Sequence, residues 1–185
     1  MLDRDRFTNT PARLLAEHRS RLLSLVGSSL EATWVAWDTE DDTWFDDEAV
    51  ILQIGGQRLE IVCFKMNEIA LTWNEIDLDS PPASVSDWSF ELSWRRNGHP
   101  VLREAVGAVV EAVSVIEHLF TWEFPPSGRR QPEPVGAKSS CWLLHGLEFR
   151  HSQGVLQVFN ALDRNGVADK APAESTHGSF RYVTL

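Results

Sequence analysis

The sequence has few cysteines and no long apolar run. Cys63 and Cys141 are the two cysteines of 185 residues, and each lies in an apolar run where a buried free thiol is the usual outcome. No apolar stretch reaches the roughly 18 residues of a membrane span, and residues 1–6 are too polar for a signal peptide. We therefore expect a cytoplasmic protein without disulfides.

The chain also lacks the short motifs that mark common catalytic sites. No phosphate-binding loop, glycine-rich dinucleotide fingerprint or nucleophile elbow occurs. Residues 38–42 have the clustered carboxylates of a calcium loop, but Thr43 stands where that loop needs glycine and Ala49 where it needs glutamate. The sequence therefore predicts no catalytic residue and no cofactor.

A metal site is not expected either. His145, Glu148 and His151 are spaced to meet on one face of a helix, but their segment is predicted to be a strand. In a strand Glu148 points away from the face that carries the two histidines, so the three side chains do not converge. The basic residues are 14 arginines and only 3 lysines, which indicates a high-GC bacterial genome.

Charge is distributed very unevenly along the chain. Residues 31–94 hold 15 of the 27 acidic residues and 6 of the 8 tryptophans, with Arg58 and Lys65 as the only bases. That segment therefore has a net charge of −13, against +3 for the remainder and −10 for the whole chain. Concentrated charge of one sign is typical of an interaction surface. It opposes binding to nucleic acid, because it repels phosphates.

The densest acidic stretch, residues 34–48, contains no base and has aromatic rings on both sides of its central turn. Clustered carboxylates must be solvated, so we expect the turn to be exposed. Exposed aromatic residues beside charge are typical of protein interfaces, although a plain solvated loop held by two buried rings gives the same pattern. The predicted protein-binding residues are Trp37, Asp38, Asp41, Asp42, Trp44, Asp46 and Asp47.

Two segments show patterns that favour helices. Residues 11–27 have apolar positions at helical spacing, with Thr10 as N-cap and Gly27 as a stop signal. Val101 to Phe120 is apolar on nearly all sides and follows Pro100, which suits a first helical position. We predict that this second segment is a central buried helix packed across a sheet.

Most other segments predict strands. The stretch at residues 125–140 is rich in proline and predicts a flexible loop. The hairpins at Gly55-Gly56 and at residues 151–154 resemble each other faintly, which leaves an internal duplication open. The predicted strands are 32–37, 49–54, 58–64, 69–73, 88–94, 120–124, 141–150, 155–160 and 180–185. We expect a single α+β domain over residues 1–185, with a mainly antiparallel twisted sheet of six to nine strands, the central helix and an N-terminal helix.

Two segments carry a resemblance to known proteins. Leu156-Gln-Val-Phe-Asn-Ala-Leu-Asp-Arg-Asn-Gly166 and Leu71-Thr-Trp-Asn-Glu-Ile-Asp77 resemble parts of small uncharacterised bacterial proteins, some of them similar to immunity proteins of polymorphic toxin systems. The resemblance contains no diagnostic motif, so it assigns no residue a role. It implies a protein that binds and neutralises a toxin.

These observations together favour a non-catalytic domain whose acidic surface docks a basic protein partner such as a toxin. Complementary charge would speed the encounter, and the aromatic residues would hold the complex. The alternative is a small-molecule-binding module or an enzyme with a tryptophan-lined pocket. A homodimer is open as a further partner.

Overall fold

The computed structural model describes residues 4–82, 91–123, 138–170 and 179–185, and they form two antiparallel sheets and two short α-helices. The elements are α1 (Pro11–Ser24), β1 (Leu30–Asp38), β2 (Thr43–Trp44), β3 (Val50–Ile54), β4 (Gln57–Phe64), β5 (Glu68–Trp73), β6 (Leu92–Arg96), α2 (Pro100–Glu104), β7 (Val110–Glu123), β8 (Lys138–His151), β9 (Gly154–Asn160), β10 (Asn165–Ala168) and β11 (Phe180–Thr184).

The predicted N-terminal helix is confirmed as α1, and its start and stop signals function as expected. The Thr10 side chain accepts a hydrogen bond from the Arg13 backbone N–H at 3.4 Å, and Pro11 occupies the first helical turn. Gly27, just beyond the helix, has a φ of 85°, a conformation that L side chains rarely adopt. Leu14 and Leu22 are buried, so one face of α1 packs on the core.

In each sheet four strands form a meander, and the last strand in the sequence pairs with the free edge of the first strand. In the first sheet the order is β6-β1-β3-β4-β5, and the short β2 pairs with the end of β1. In the second sheet the order is β11-β7-β8-β9-β10. The two halves of the chain therefore repeat one arrangement of a helix followed by five antiparallel strands.

The repetition extends to register and irregularities. β6 pairs with residues 34–38 of β1, and β11 pairs with residues 114–118 of β7. The pairing of β1 with β3 shifts between Leu30 and Ala32, and that of β7 with β8 shifts between Val110 and Ala112. A bulge is a specific local feature of a strand pair, so its recurrence at the matching position indicates two copies of one unit.

Backbone hydrogen bonds join the two copies symmetrically. The N–H of Gly27 donates to the carbonyl of Val110 and that of Gly107 to the carbonyl of Leu30, both at 2.8 Å. Ser29 and Val109 form an isolated antiparallel bridge between these bonds. Each bond becomes the other when the copies are exchanged, so the copies are related by a local twofold axis at this bridge.

One hydrophobic core serves both copies. Leu59 and Ile61 of β4 belong to the same buried cluster as Leu156 and Val158 of β9, and the α1 leucines join it. β4 contacts β9 and β5 contacts β8, so the sheets pack face to face. Trp73 lies in this cluster as predicted, and Trp94 is half-buried. Trp88 lies outside the described residues.

The predicted central helix at Val101 to Phe120 is wrong. Only Pro100–Glu104 is helical, and Val110–Glu123 forms the long strand β7. Gly107, with a φ of 91°, separates the two, and valine and isoleucine dominate the residues after it. An all-round apolar segment is also what a strand buried on both faces needs, so apolarity alone could not identify a helix.

The remaining strand predictions agree with the structure to within a few residues. Of the predicted strand at 88–94, residues 88–90 lie outside the described residues, as does residue 124, and the strand observed there begins at Leu92. Residues 138–140 belong to β8, whereas residues 125–137 of the predicted proline-rich loop lie outside the described residues. Cys63 is buried and free as predicted, and burial raises the pKa of its thiol, but Cys141 is exposed.

Candidate functional site

Asp38, a predicted protein-binding residue, lies buried at the end of β1 and organises the acidic turn. Its carboxylate accepts the backbone N–H of Glu40 at 2.9 Å and of Asp41 at 3.2 Å. A carboxylate that accepts backbone N–H groups in this way holds a turn in one shape. Glu40 and Asp41 are exposed beyond it. Asp38 therefore positions its neighbours.

Trp37 and Asp42 form a small cluster with Arg95 of β6. The Trp37 Nε1 donates to Asp42 Oδ1 at 2.9 Å, and Arg95 Nη1 donates to the same oxygen at 3.0 Å. The Arg95 guanidinium lies 4.2 Å from the centre of the Trp37 ring. The Trp37 hydrogen bond, followed by that of Arg95, lowers the pKa of Asp42, so this exposed carboxylate stays ionised.

Trp44 is half-buried against the core and contacts His99. The two rings meet edge to face with 4.7 Å between their centres. Trp44 Nε1 and His99 Nδ1 are buried and find no hydrogen-bond partner in the described part of the chain. Burial also lowers the pKa of His99. Trp44 is therefore mainly a packing residue. This agrees with the alternative interpretation of the acidic stretch, a solvated loop held by buried aromatic rings.

The second acidic group combines two distant segments. Asp46 Oδ2 lies 3.4 Å from Arg164 Nη1, and Asp47 is exposed beside them. Burial, then the charges of Asp46 and Asp163, raise the pKa of Asp47 against the opposing charge of Arg164. Asp46, Asp47 and Asp163 therefore form an acidic cluster with Arg164 as its base; we call these three carboxylates the loop cluster.

Two asparagines explain why these segments meet. Asn165 is buried, accepts the backbone N–H of Cys63 at 3.0 Å and donates to the carbonyls of Asp46 and Glu48 at 3.2 and 2.6 Å. Asn160 donates to the carbonyl of Phe64 at 3.2 Å and accepts from the backbone N–H of Asp163. Both asparagines therefore clamp the second sheet to the first.

Between these asparagines the chain makes a tight turn with an exposed apolar tip. The N–H of Ala161 donates to the carbonyl of Arg164 at 2.8 Å, and Leu162 and Asp163 have φ values of 64° and 77°. Such a turn favours asparagine and glycine, yet its first central residue is Leu162, which is 74% exposed. A leucine held in this way is unusual and marks the tip as a contact candidate.

A cleft of about 470 Å³ opens on the second sheet next to this turn. His145 stacks on Phe159 with 5.2 Å between ring centres, and it lies 5.2 Å from Phe180 and 5.8 Å from His118. Burial, followed by the charge of His118, lowers the pKa of His145 to about 4, so its imidazole is neutral near pH 7. The rings thus form a largely apolar wall.

Gly146 allows this wall to form. A Cβ at this position would lie 2.4 Å from the carbonyl oxygen of Val158 and 2.7 Å from the Cα of Phe159. The absence of a side chain therefore lets β8 approach β9 at this point. The pairing of β7 with β8 also shifts here, and the shift leaves His145 without a cross-strand partner in β7. Bulges often re-aim side chains at functional sites.

The three residues weighed as metal ligands lie apart in the structure, as the predicted strand requires. Glu148 is buried and accepts from Gln157 Nε2 at 2.8 Å, so it does not join His145 and His151. Within residues 4–82, 91–123, 138–170 and 179–185 no three His, Cys, Asp or Glu side chains are placed to hold a metal ion. The two described α-helices are short, and neither has the length and apolarity that crossing a membrane requires.

No protein-family model, curated protein or solved structure matches the chain. The site is therefore defined by its own geometry. Of the predicted contact residues, Asp41, Asp42 and Asp47 are exposed, Trp37, Trp44 and Asp46 are half-buried, and Asp38 is buried. Sequence reasoning missed Arg95, Arg164 and Asp163, because strand pairing and the asparagine clamp bring them to the acidic stretch from elsewhere.

Proposed function

We propose that this protein is a non-catalytic binding domain that docks a basic protein partner. The supporting observation is the loop cluster, where Asp46, Asp47 and Asp163 meet around Arg164. Their mutual repulsion contributes to the raised pKa of Asp47. A cationic side chain from a partner would relieve that repulsion, so the cluster favours a basic protein over other ligands.

The rest of the acidic surface supports the same kind of partner. Glu40 and Asp41 are exposed next to a turn that Asp38 holds in shape, so the partner would meet charges that are already positioned. The net charge of −10 adds long-range attraction toward a basic protein at low salt. Leu162, beside Asp163, and Met66, which is 48% exposed, supply apolar contact area.

Immunity proteins that neutralise basic nuclease toxins would bind in this manner, and two segments of the chain resemble such proteins. Asn160 and Asn165, which lie within the longer of those segments, have a structural role as clamps. The proposed contacts come instead from the loop cluster and from the exposed turn. The natural first partner to test is the protein encoded by the neighbouring gene.

A charge-matched pair of variants tests the proposal. Asp41→Asn, Asp47→Asn and Asp163→Asn together remove three acids from the surface, while Glu104→Gln, Glu111→Gln and Asp169→Asn remove three exposed acids elsewhere. We expect the first triple variant to slow association with the neighbouring gene product by roughly tenfold at low salt and to reduce its salt dependence. The second should slow association by about twofold, through net charge alone.

Leu162→Ser would act differently, by raising the dissociation rate, because it removes apolar contact and leaves charge unchanged. Surface plasmon resonance at two salt concentrations measures all three variants. Equal effects of the two triple variants would show that only net charge matters and would remove the loop cluster from the interface. A neighbouring gene product that does not bind at all would contradict the immunity form of the proposal.

A further inference from the structure

The cleft on the second sheet is lined by residues that differ from those at the matching positions of the first copy. Register places His118 opposite Phe180 and Leu143, whereas the matching residue of the first copy, Asp38, lies opposite Leu92 and Thr43. The first copy then turns back at residues 39–42, while β7 continues to Glu123 and pairs with the beginning of β8. The cleft lies where this extension begins.

This comparison separates what the fold requires from what the second copy has added. The first copy forms the same strand order with an aspartate and a leucine at the positions of His118 and Phe180, so an aromatic cleft is not needed to build the unit. Elaborations of one copy of a repeat are frequent locations of binding sites. Gly146 and the adjacent bulge allow His145 to join the wall, so they too are features that the second copy has added to the unit.

The lining of the cleft defines the chemistry of its ligand. Phe120, Phe159, Phe180 and the rings of His118 and His145 offer flat surfaces against which another ring can stack. Lys170 also lines the cleft, and none of the described lining residues is acidic. In a chain with a net charge of −10, a cleft whose described lining includes a lysine and no acid favours an anion. Its volume suits a ligand of one or two fused rings.

We propose that this cleft binds a small aromatic carboxylate, with its ring against the Phe159 and His145 wall and its carboxylate toward Lys170. The cleft shares Leu162 and Met66 with the proposed docking surface, but its ring wall and Lys170 are not part of the loop cluster. One site attracts cations and the other attracts anions. The Asp47 and Asp163 changes act on the loop cluster and the Lys170 change acts on the cleft, so failure of one proposal can be distinguished from failure of the other.

Calorimetric titration with 2-naphthoate, and with its uncharged analogue 2-naphthalenemethanol, tests the proposal. We expect 2-naphthoate to bind the full chain with a Kd between about 10 μM and 1 mM, in line with its size, and the alcohol to bind about fivefold more weakly. Lys170→Gln should weaken naphthoate binding about fivefold and remove the preference for the acid. Lys65→Gln, which removes an equal charge outside the cleft, should change it less than about twofold.

Ala168→Phe fills the cleft from a half-buried lining position and should abolish binding without lowering Tm. A fall in Tm on this substitution would show that the cleft is already filled by the protein itself and would overturn the proposal. Naphthoate binding that Lys170→Gln and Ala168→Phe leave unchanged would also overturn it, as would no binding up to the solubility limit. In the wild-type complex, NMR contacts from the naphthoate ring to the His118 and His145 ring protons provide a readout that needs no variant.

Discussion

At the residue scale, the supply of hydrogen-bond donors decides what an aspartate does in this protein. Asp38 is buried, yet two backbone N–H groups satisfy its carboxylate, so it stabilises a turn. Asp47 is exposed among other acids, and its raised pKa reflects partial burial and repulsion. Amino-acid composition alone does not distinguish Asp38 from Asp47. Only the backbone geometry after β1 and after β2 separates a structural carboxylate from one that a partner can use.

The same scale gives a pH prediction for His145. Its folded pKa of about 4 lies below the ordinary histidine value of 6.5, so the unfolded chain binds the proton more readily than the folded chain. This contribution to stability is complete above pH 6.5 and is lost as the pH falls toward 4. At pH 5 we expect His145 to cost about 2 kcal/mol of unfolding free energy relative to pH 7.

Urea unfolding at pH 7 and pH 5 measures that loss, with His145→Phe as the comparison because it keeps an aromatic ring that cannot titrate. Acidic residues also titrate near pH 5, so the quantity to compare is the change between the two pH values in each protein. The variant should lose about 2 kcal/mol less than the wild type. An identical loss in both, or a His145 ring proton titrating near pH 6.5 by NMR, would rule out the buried neutral imidazole.

At the scale of elements, local sequence signals performed well where backbone conformation is special. The Thr10 cap with Pro11, and the Gly55-Gly56 turn with φ values of 56° and 77°, have side-chain or backbone requirements that are visible in the sequence. The segment after Pro100 failed because its apolar residues satisfy both a helix and a strand buried on both faces. Its β-branched residues and Gly107 were the signals that favoured a strand.

Two substitutions, one within β7 and one at the residue directly before it, distinguish a strand from a helix in this segment. Ile116 is fully buried, whereas Val109, which a central helix would also bury, is 42% exposed. Ile116→Asp should unfold the protein, because an unpaired buried charge costs several kcal/mol out of a total of roughly 5–15. Val109→Asp should change the unfolding free energy by about 1 kcal/mol or less. Thermal melting by circular dichroism measures both. Similar large losses of stability in the two variants would show that Val109 is buried, as the helix prediction required.

At the scale of the whole molecule, the chain is two copies of one unit built around a shared core. The sequence carries a trace of this, since Val26-Gly27 and Glu31-Ala32 recur as Val106-Gly107 and Glu111-Ala112. The faint likeness of the two hairpins pointed in the same direction but could not establish it. Strand order, matching bulges and reciprocal hydrogen bonds are long-range features, which no local pattern encodes.

The shared core predicts that neither half is stable by itself. Residues 1–98 and 99–185 each contribute one sheet to a single buried cluster, so an isolated half exposes the apolar face that its partner covers. Each half alone should be unfolded or self-associated, and mixing the two should restore a cooperative melt. Circular dichroism and size-exclusion chromatography measure this, with the folded full chain cut near Gly98 as the control.

Self-association of one half would have a specific geometry. Two copies of residues 1–98 can repeat, through Gly27 and Leu30, the pair of hydrogen bonds that joins Gly27 to Val110 and Gly107 to Leu30 in the full chain. A closed twofold dimer is then the expected species, because a symmetric contact is satisfied by two copies. Changing Gly27 to valine should weaken that dimer, since a β-branched residue does not tolerate a φ of 85°. A monomeric half with a cooperative melt would show instead that each copy holds a sufficient core of its own.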